Sequence, residues 1–120
     1  AIDSGVLASQ VTAWLRSTAQ GWFEQRAAHY APALGVPLPA IYLSNARSRW
    51  GSCHPAGRVR LSWRLIQMPP ELIDYVVVHE LAHLHVKNHS SKFWKSVETI
   101  YPGYKKQRKW LRENGEKLNL

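Results

Sequence analysis

Residues 69–89 of this 120-residue chain read PPELIDYVVVHELAHLHVKNH. The two prolines followed by Glu71 are typical of a helix start, since proline is favoured at the first helical position. The residues that follow are apolar on nearly every side of the helix, as in a helix buried in the middle of a domain. The pattern predicts a central helix over about 70–86 with these apolar positions: Leu72, Ile73, Val76, Val77, Leu81 and Leu84.

The second half of this helix carries an H-E-x-x-H motif formed by His79, Glu80 and His83. Residues four apart lie on one face of a helix about a turn apart, so both imidazoles can bind one zinc ion. Glu80 then projects toward a zinc-bound water, whose pKa the metal lowers toward 7, and can take its proton. The motif predicts a catalytic zinc site in which Glu80 is the general base and not a ligand.

Helix geometry selects the third ligand. His85 lies about 200° around the helix from His83, on the opposite side. His89 would lie about 9 Å farther along an unbroken helix, so it reaches the metal only if the chain turns back. Asn88 provides a place for that turn, because Asn tolerates the left-handed conformation. Three histidines with an open position for water form a catalytic type of site, so we expect one zinc ion held by His79, His83 and His89.

The rest of the chain predicts a single α+β domain around the central helix. A long amphipathic helix is expected over about 5–30, ending or kinking at Pro32. A short strand is expected around Ile41, and alternation of apolar and basic residues over 58–64 indicates a hairpin. Two helices should follow the central one, the last over about 104–114. Helical spacing assigns four tryptophans to the core: Trp14, Trp22, Trp94 and Trp110. The alternation in the hairpin assigns three arginines to a solvated face: Arg58, Arg60 and Arg64.

Charge is the most distinctive feature of the composition. The chain has 16 Lys and Arg against 8 Asp and Glu, a formal net charge of +8, and residues 87–120 hold nine of the cations and three of the acids. This balance is typical of nucleic-acid-binding proteins, so contact with nucleic acid through basic C-terminal helices is one expectation. No apolar run approaches the roughly 18 residues needed to cross a bilayer, which excludes a membrane span, and no membrane partner is expected. Cys53 is the only cysteine, which predicts a reducing, cytoplasmic location.

Further motifs accompany the central helix between Ile41 and Leu111. In chain order they are Arg49-Trp50-Gly51-Ser52-Cys53, Leu61-Ser62-Trp63-Arg64-Leu65-Ile66, the stretch from Pro69 to Leu84, Asn88-His89-Ser90 and Phe93-Trp94. Together they resemble the YgjP-like metal-dependent hydrolases, which are zincin-type metallopeptidase domains distantly similar to SprT-like and WLM proteases. The combination is far more specific than H-E-x-x-H alone.

The resemblance has implications for fold, site and substrate. It implies a zincin-like domain with a long N-terminal helix, a small antiparallel-containing sheet, an active-site helix and C-terminal helices. It implies His79, His83 and His89 as zinc ligands, Glu80 as the catalytic base, and a peptide or protein as substrate. Family members usually carry an additional N-terminal β-rich region, so we expect residues 1–120 to form one metallopeptidase domain without that region.

Substrate contacts are less well defined by the sequence. Zincins commonly hold an extended peptide on an edge strand, and the hairpin that contains Trp50 is the candidate. Hydrolysis of an amide also needs a donor for the oxyanion of the transition state. Arg49, Tyr101 and Tyr104 are the candidate donors, and the sequence does not rank them. Trp50, adjacent to Arg49, is a further candidate contact.

Two alternative functions use the same residues differently. In a metal-dependent nucleotide phosphohydrolase the arginines would hold phosphate and water would attack phosphorus. Phosphoryl sites usually add carboxylates or a second metal, yet residues 25–70 contain no Asp or Glu. In a basic nucleic-acid-binding module the zinc would be structural and would need a fourth protein ligand, for which only Cys53 or His54 could serve.

Overall fold

The computed structural model describes residues 4–47, 49–54 and 56–114. It confirms an α+β fold with a long N-terminal helix, a small sheet, a central helix and two C-terminal helices. In chain order the elements are α1 (Ser4–Leu34), β1 (Ala40–Ser44), β2 (Gly51–His54), β3 (Arg58–Ser62), a 3-10 helix (Trp63–Gln67), α2 (Pro70–Ala82), α3 (Ser91–Ile100) and α4 (Tyr104–Asn114).

The sheet has three strands in the order β1-β3-β2. β1 is parallel to β3, whereas β2 is antiparallel to β3 and forms the predicted hairpin with it. Val59 and Leu61 are buried on one face, and Arg58 and Arg60 are exposed on the other, as the alternation predicted. Within the described residues β2 pairs with β3 alone, so β2 is an edge strand.

Arg64 differs from the prediction that the arginines of the hairpin lie on a solvated face. It is only 7% exposed, and its guanidinium lies 4.5 Å from the centroid of the Trp63 ring. Arg64 Nη2 also donates to Asn45 Oδ1 at 3.1 Å. The strand ends at Ser62 and the chain enters the 3-10 helix, so the alternation no longer applies and the Arg64 side chain turns inward.

Only the C-terminal half of α1 packs on the domain. The helix continues through Pro32 and ends at Leu34, and the next residue, Gly35, has a φ of 71°, the left-handed conformation common after a helix. Its fully buried residues begin at Ala19, whereas Trp14 is 66% exposed and Trp22 is 37% exposed. The placement of Trp14 and Trp22 in the core was therefore wrong, because amphipathic spacing does not fix how far along the helix, or how far around it, the core extends.

A bidentate ion pair joins α1 to α2. Arg26 Nε and Nη2 donate to Asp74 Oδ1 and Oδ2, each at 2.8 Å, and the Tyr30 hydroxyl donates to Asp74 Oδ2 at 2.8 Å. The Asp74 hydrogen bond is the main cause of an Arg26 pKa above its usual value. A bidentate pair fixes geometry as well as contributing energy. Asp74 precedes His79 on the same helix, so this contact fixes the orientation of the helix that carries the site.

Replacing Asp74 by alanine is expected to lower the free energy of unfolding by about 1–3 kcal/mol, because Arg26 and Tyr30 lose a shared charged acceptor. Urea denaturation measures the change. The matched control is Glu24→Ala, which removes an exposed acid from α1 and should change stability by less than about 0.5 kcal/mol. Equal losses in the two variants would contradict a specific role for the Arg26–Asp74 pair.

The central helix α2 is buried along most of its length, as predicted, and nine of its residues belong to the protein interior. It ends at Ala82 rather than near residue 86. Among the elements that the structure describes, no helix combines the length and apolarity needed to cross a membrane.

Candidate metal centre

The candidate metal centre lies where α2 ends. After Ala82 the N–H groups of residues 83–85 donate to carbonyls three positions earlier, which tightens the chain into turns. The Val86 side chain is buried, and this helps to direct the following residues back over the end of the helix. The chain turns back as predicted, and His89 lies beside His83. The turn does not use a left-handed Asn88, since no non-glycine residue in the described ranges has a positive φ.

Three imidazoles meet at this turn. His83 Nε2 lies 3.1 Å from His89 Nε2, which lies 3.3 Å from His79 Nε2. The ligand atoms of all three residues lie within 4.8 Å of one another. Metal–nitrogen bonds of about 2.0–2.1 Å at tetrahedral angles separate two ligand nitrogens by about 3.4 Å. The three histidines therefore fit a metal ion, while His85 is exposed and lies outside the group.

Two aromatic residues of α3 support two of these histidines. The His83 ring stacks on Phe93 with centroids 4.4 Å apart, and the His89 ring stacks on Trp94 with centroids 5.8 Å apart. Phe93 is buried in the core, so its position is fixed by the fold. The Phe93-Trp94 pair therefore restrains the orientation of both imidazoles, which lowers the cost of ordering them around an ion.

In His83 and His79, the Nδ1 atom has a hydrogen-bond partner, and this partner determines which ring nitrogen is free to bind a metal. His83 Nδ1 lies 3.1 Å from the Val86 carbonyl oxygen, which can only accept, so Nδ1 carries the proton and Nε2 is free to bind a metal. His79 Nδ1 lies 3.4 Å from the Tyr75 hydroxyl, which would accept its proton in the same way. Such outer partners orient ligands and raise their basicity.

His79 and His83 favour the neutral form that a metal ion requires. Burial, reinforced by repulsion from His83 and His89 in their protonated forms and from Arg108, lowers the pKa of His79 to about 3. Burial also lowers the pKa of His83. A neutral imidazole at ordinary pH offers its lone pair without first losing a proton.

Replacing Tyr75 by phenylalanine is expected to weaken metal binding by about tenfold, because His79 loses the partner of its Nδ1 atom. Competition with a chelator of known affinity measures the effect. Tyr30→Phe is the matched control, since it removes a hydroxyl that bonds to Asp74 and not to a histidine. Identical metal affinities in the two variants would show that the Tyr75 hydroxyl does not support His79.

Glu80 lies beside the histidines and is 6% exposed. Burial raises the pKa of Glu80 to about 7, and the nearby charge of Arg49 partly opposes this shift. Its carboxylate faces Gly51 of β2, where an added Cβ atom would lie 3.0 Å from Glu80 Oε2 and 2.9 Å from Leu61 Cδ2. The absence of a side chain at Gly51 therefore leaves space for the Glu80 carboxylate between α2 and the sheet.

Gly51→Ala is expected to destabilise the protein by about 1–3 kcal/mol and to reduce peptide hydrolysis, because the new methyl group displaces either Leu61 or the Glu80 carboxylate. Urea denaturation and a peptide-cleavage assay measure the two effects. Gly21→Ala is the control, since a Cβ there has no neighbour within 4 Å and alanine is favoured over glycine in a helix. An active, fully stable Gly51→Ala protein would contradict the role of Gly51 in making space for Glu80.

Two cavities flank the group formed by His79 and Glu80. The first is about 430 Å³ and extends past His83 and His89 to Lys87, with Ser52 and Cys53 of β2 along its side. The second is about 330 Å³ and lies toward Tyr75 and α4. Both are lined by Arg49, Gly51, His79 and Glu80. His79 and Glu80 therefore lie where the two cavities adjoin, and the two cavities together form a cleft beside the edge strand β2.

The candidate substrate residues fall into two groups. Arg49 lines both cavities and Trp50 lines the second, so both border the histidines and Glu80. Tyr101 lines neither cavity, and its hydroxyl donates to the Glu71 carbonyl at 3.0 Å. Tyr104 is buried and stacks on Trp94 with centroids 5.3 Å apart. The structure thus brings Arg49 and Trp50 to the cleft and places the two tyrosines behind it.

Several residues at the site were not identified as site residues from the sequence. Gly51 and Phe93 belong to the motifs that carry the family resemblance, but nothing in those motifs assigns Gly51 to the space around Glu80 or Phe93 to the face of His83. Tyr75 could have been found, since it lies four residues before His79 and hence one turn away on the same helix face. Arg108 gives no comparable signal, because α4 has cations on most of its faces.

Comparison with known proteins agrees with this architecture. The model of the YgjP-like family, described as a metallopeptidase domain, matches residues 4–114. The metallopeptidase zymogen abylysin of Pyrococcus abyssi has a similar structure, with a TM-score of 0.67 and 26% identity over 76% of this chain and 93% of that one. The zymogen jannalysin of Methanocaldococcus jannaschii shares the fold, with a TM-score of 0.67 and 17% identity over 77% and 95% of the two chains. No curated protein matches the sequence. The chain belongs to the YgjP-like metallopeptidase family.

Proposed function

We propose that this metallopeptidase domain uses one zinc ion bound by His79, His83 and His89, with Glu80 as the general base for hydrolysis of a peptide bond. The observation that carries the proposal is the convergence of three imidazole nitrogens beside a buried carboxylate. Three nitrogen ligands and an open position are typical of catalytic zinc sites. Zinc bound there would polarise the substrate carbonyl and lower the pKa of water.

Glu80 is suited to move the proton. Its pKa, raised to about 7 by burial, lies close to neutral pH, where a group can both accept and return a proton efficiently. Glu80 takes a proton from water as the carbonyl is attacked and delivers it to the departing amine. Gly51 leaves space for the carboxylate in this position.

The edge strand β2 is the proposed platform for an extended peptide. Gly51, Ser52 and Cys53 line the larger cavity beside the histidines, so a peptide added to this edge would pass the site. Main-chain hydrogen bonds of this kind hold a peptide regardless of most of its side chains. Arg49 is the preferred oxyanion donor of the candidates, because it lines both cavities, whereas the Tyr101 hydroxyl is directed to a carbonyl.

The alternatives receive less support from the same residues. Among described residues Glu80 is the only acid lining the two cavities, so a second metal ion for phosphoryl transfer has no carboxylate ligand. A structural zinc needs a fourth ligand, and the metal-binding group in the described chain contains only the three histidines. Burial and then Glu80 raise the pKa of Cys53 to about 11, which disfavours the thiolate that binds zinc.

We also propose that residues 1–120 act as one domain in the cytoplasm. One hydrophobic core joins α1, the sheet and α2, which supports a single domain. The single unpaired Cys53 suits a reducing compartment.

Metal analysis and an activity panel test the proposed function. The purified chain should contain about one zinc per molecule, lose peptide hydrolysis after treatment with a chelator, and regain it with added zinc. The panel includes unfolded peptides and nucleoside triphosphates. Hydrolysis of nucleotides but not peptides would overturn the choice of bond, and full activity of the metal-free protein would overturn the metal mechanism.

A further inference from the structure

We propose that the cleft selects acidic peptides, with negatively charged residues held on both sides of the scissile bond by Lys87 and by Arg108. The inference rests on the proposed function and names the substrate class of the same site. It is carried by the distribution of charge along the two cavities.

Lys87 contributes the positive charge on one side. It lines the larger cavity together with His83 and His89, on the side where the chain turns back after α2. Its side chain is exposed, and the described residues provide no ion pair for it, since the one ion pair among them joins Arg26 and Asp74. A peptide carboxylate in this cavity would find Lys87 without having to displace a protein acid.

Arg108 contributes the positive charge on the other side. Its guanidinium lies 4.2 Å from the centroid of the Trp94 ring, and Trp94 in turn stacks on His89. Leu111, one turn farther along α4, lines the smaller cavity. The Trp94 ring also lies 5.8 Å from the His79 ring, centroid to centroid, so Trp94 holds the Arg108 cation near the site, on the part of α4 whose Leu111 lines the smaller cavity.

Arg49 adds a third cation, because it lines both cavities. The described lining of the two cavities therefore contains the cations Arg49 and Lys87, with Arg108 nearby on α4, whereas Glu80 is the only acid in it. The other described acids line neither cavity: Asp74 pairs with Arg26, and the exposed acids lie on α1, α2, α3 and α4, namely Glu24, Glu71, Glu98 and Glu113. Like charges disfavour a basic peptide here, and opposite charges favour an acidic one.

A peptide is favoured over nucleic acid because the cleft wall is an edge strand. β2 offers unpaired main-chain donors and acceptors beside the histidines, which match an extended polypeptide. Single-stranded nucleic acid is usually held by exposed aromatic platforms along a basic groove. The aromatic residues beside the histidines instead pack within the protein: Phe93 and Tyr75 are buried, Trp94 contacts His89 and Tyr104, and Trp50 is partly buried against the core.

The test compares peptides that differ only in charge. One series has Glu or Asp on both sides of the cleavage site, and the matched series has Gln or Asn at the same positions. Binding to the zinc-loaded Glu80→Gln protein is measured by fluorescence anisotropy at low and raised salt, so that the readout does not depend on turnover. We expect the acidic series to bind about tenfold more tightly at low salt, and the difference to shrink as salt screens the charges.

Variants identify the cations responsible. Lys87→Gln and Arg108→Gln should each reduce the preference for acidic peptides by about two- to five-fold, as expected for single exposed charge pairs. Lys95→Gln is the matched control, since Lys95 is exposed on α3, a helix that contributes no residue to either cavity, whereas α4 contributes Leu111; it should leave the preference unchanged. Equal binding of the two series, or equal effects of all three variants, would overturn the inference.

Two further measurements separate the charge preference from the other possible explanations: binding of an oligonucleotide, and cleavage of the two peptide series by the wild-type protein. If a single-stranded oligonucleotide bound more tightly than the acidic peptide and depended on Lys87 and Arg108, nucleic acid would replace acidic peptides as the ligand. If the wild-type protein cleaved both peptide series at the same rate, only the charge preference would be wrong. If it cleaved neither series, the proposed peptide hydrolysis itself would fail.

Discussion

Glu80→Gln is expected to lower the rate of peptide hydrolysis by about 10²- to 10⁴-fold while leaving the metal content unchanged. Glutamine has nearly the same shape as glutamate, so it fits the space beside Gly51. It cannot take a proton from water, because its amide is not a base at neutral pH. The reaction therefore loses its proton acceptor and retains its metal ligands.

The same variant also tests whether Glu80 is retained for function at the expense of stability. Glu80 is buried, and its elevated pKa reflects the cost of keeping a charge there. Removing that charge should leave the thermal stability of the metal-free protein unchanged or raise it, a trade-off often seen at active sites. Hydrolysis at the wild-type rate by a zinc-loaded Glu80→Gln protein would contradict the role of Glu80 as general base. Loss of zinc from this variant would instead indicate that Glu80 is a ligand.

The sequence predicted the central helix and the grouping of its histidines because both depend on local geometry. The spacing of His79 and His83 is a property of any α-helix. His89 could be selected because only a chain reversal would bring it back, and the structure contains that reversal. Its detailed path was not predictable, since it uses tight turns after Ala82 and burial of Val86 rather than a left-handed Asn88.

Features that depend on distant parts of the chain were harder to predict. Trp14 satisfies the helical spacing of a core residue but is exposed, because the packed part of α1 begins farther along. Arg64 satisfies the alternation of a solvated strand position but is buried, because the strand ends before it. The space that Gly51 provides for Glu80 depends on how α2 packs against β2, and no spacing in the sequence encodes that contact.

His89→Ala is expected to weaken zinc binding by more than about 100-fold, beyond the 10- to 100-fold loss that follows removal of an outer-shell partner. The variant retains His79 on α2 and His83 directly after it. It loses His89 Nε2, which lies 3.1 Å from His83 Nε2 and 3.3 Å from His79 Nε2. Competition with a chelator measures affinity, and peptide hydrolysis should fall in parallel. His89 is exposed, so the fold should persist, which circular dichroism checks.

His85→Ala is the decisive control for this ligand assignment. His85 belongs to the same short segment and is also exposed, but it lies outside the metal-binding group. Its replacement should leave zinc affinity and hydrolysis within about twofold of the wild type, since the turns that position His89 use backbone groups and buried Val86. Tight zinc binding by His89→Ala together with its loss in His85→Ala would mean that the segment binds metal through the other face. In that event the reversal after α2 would not be the element that completes the site.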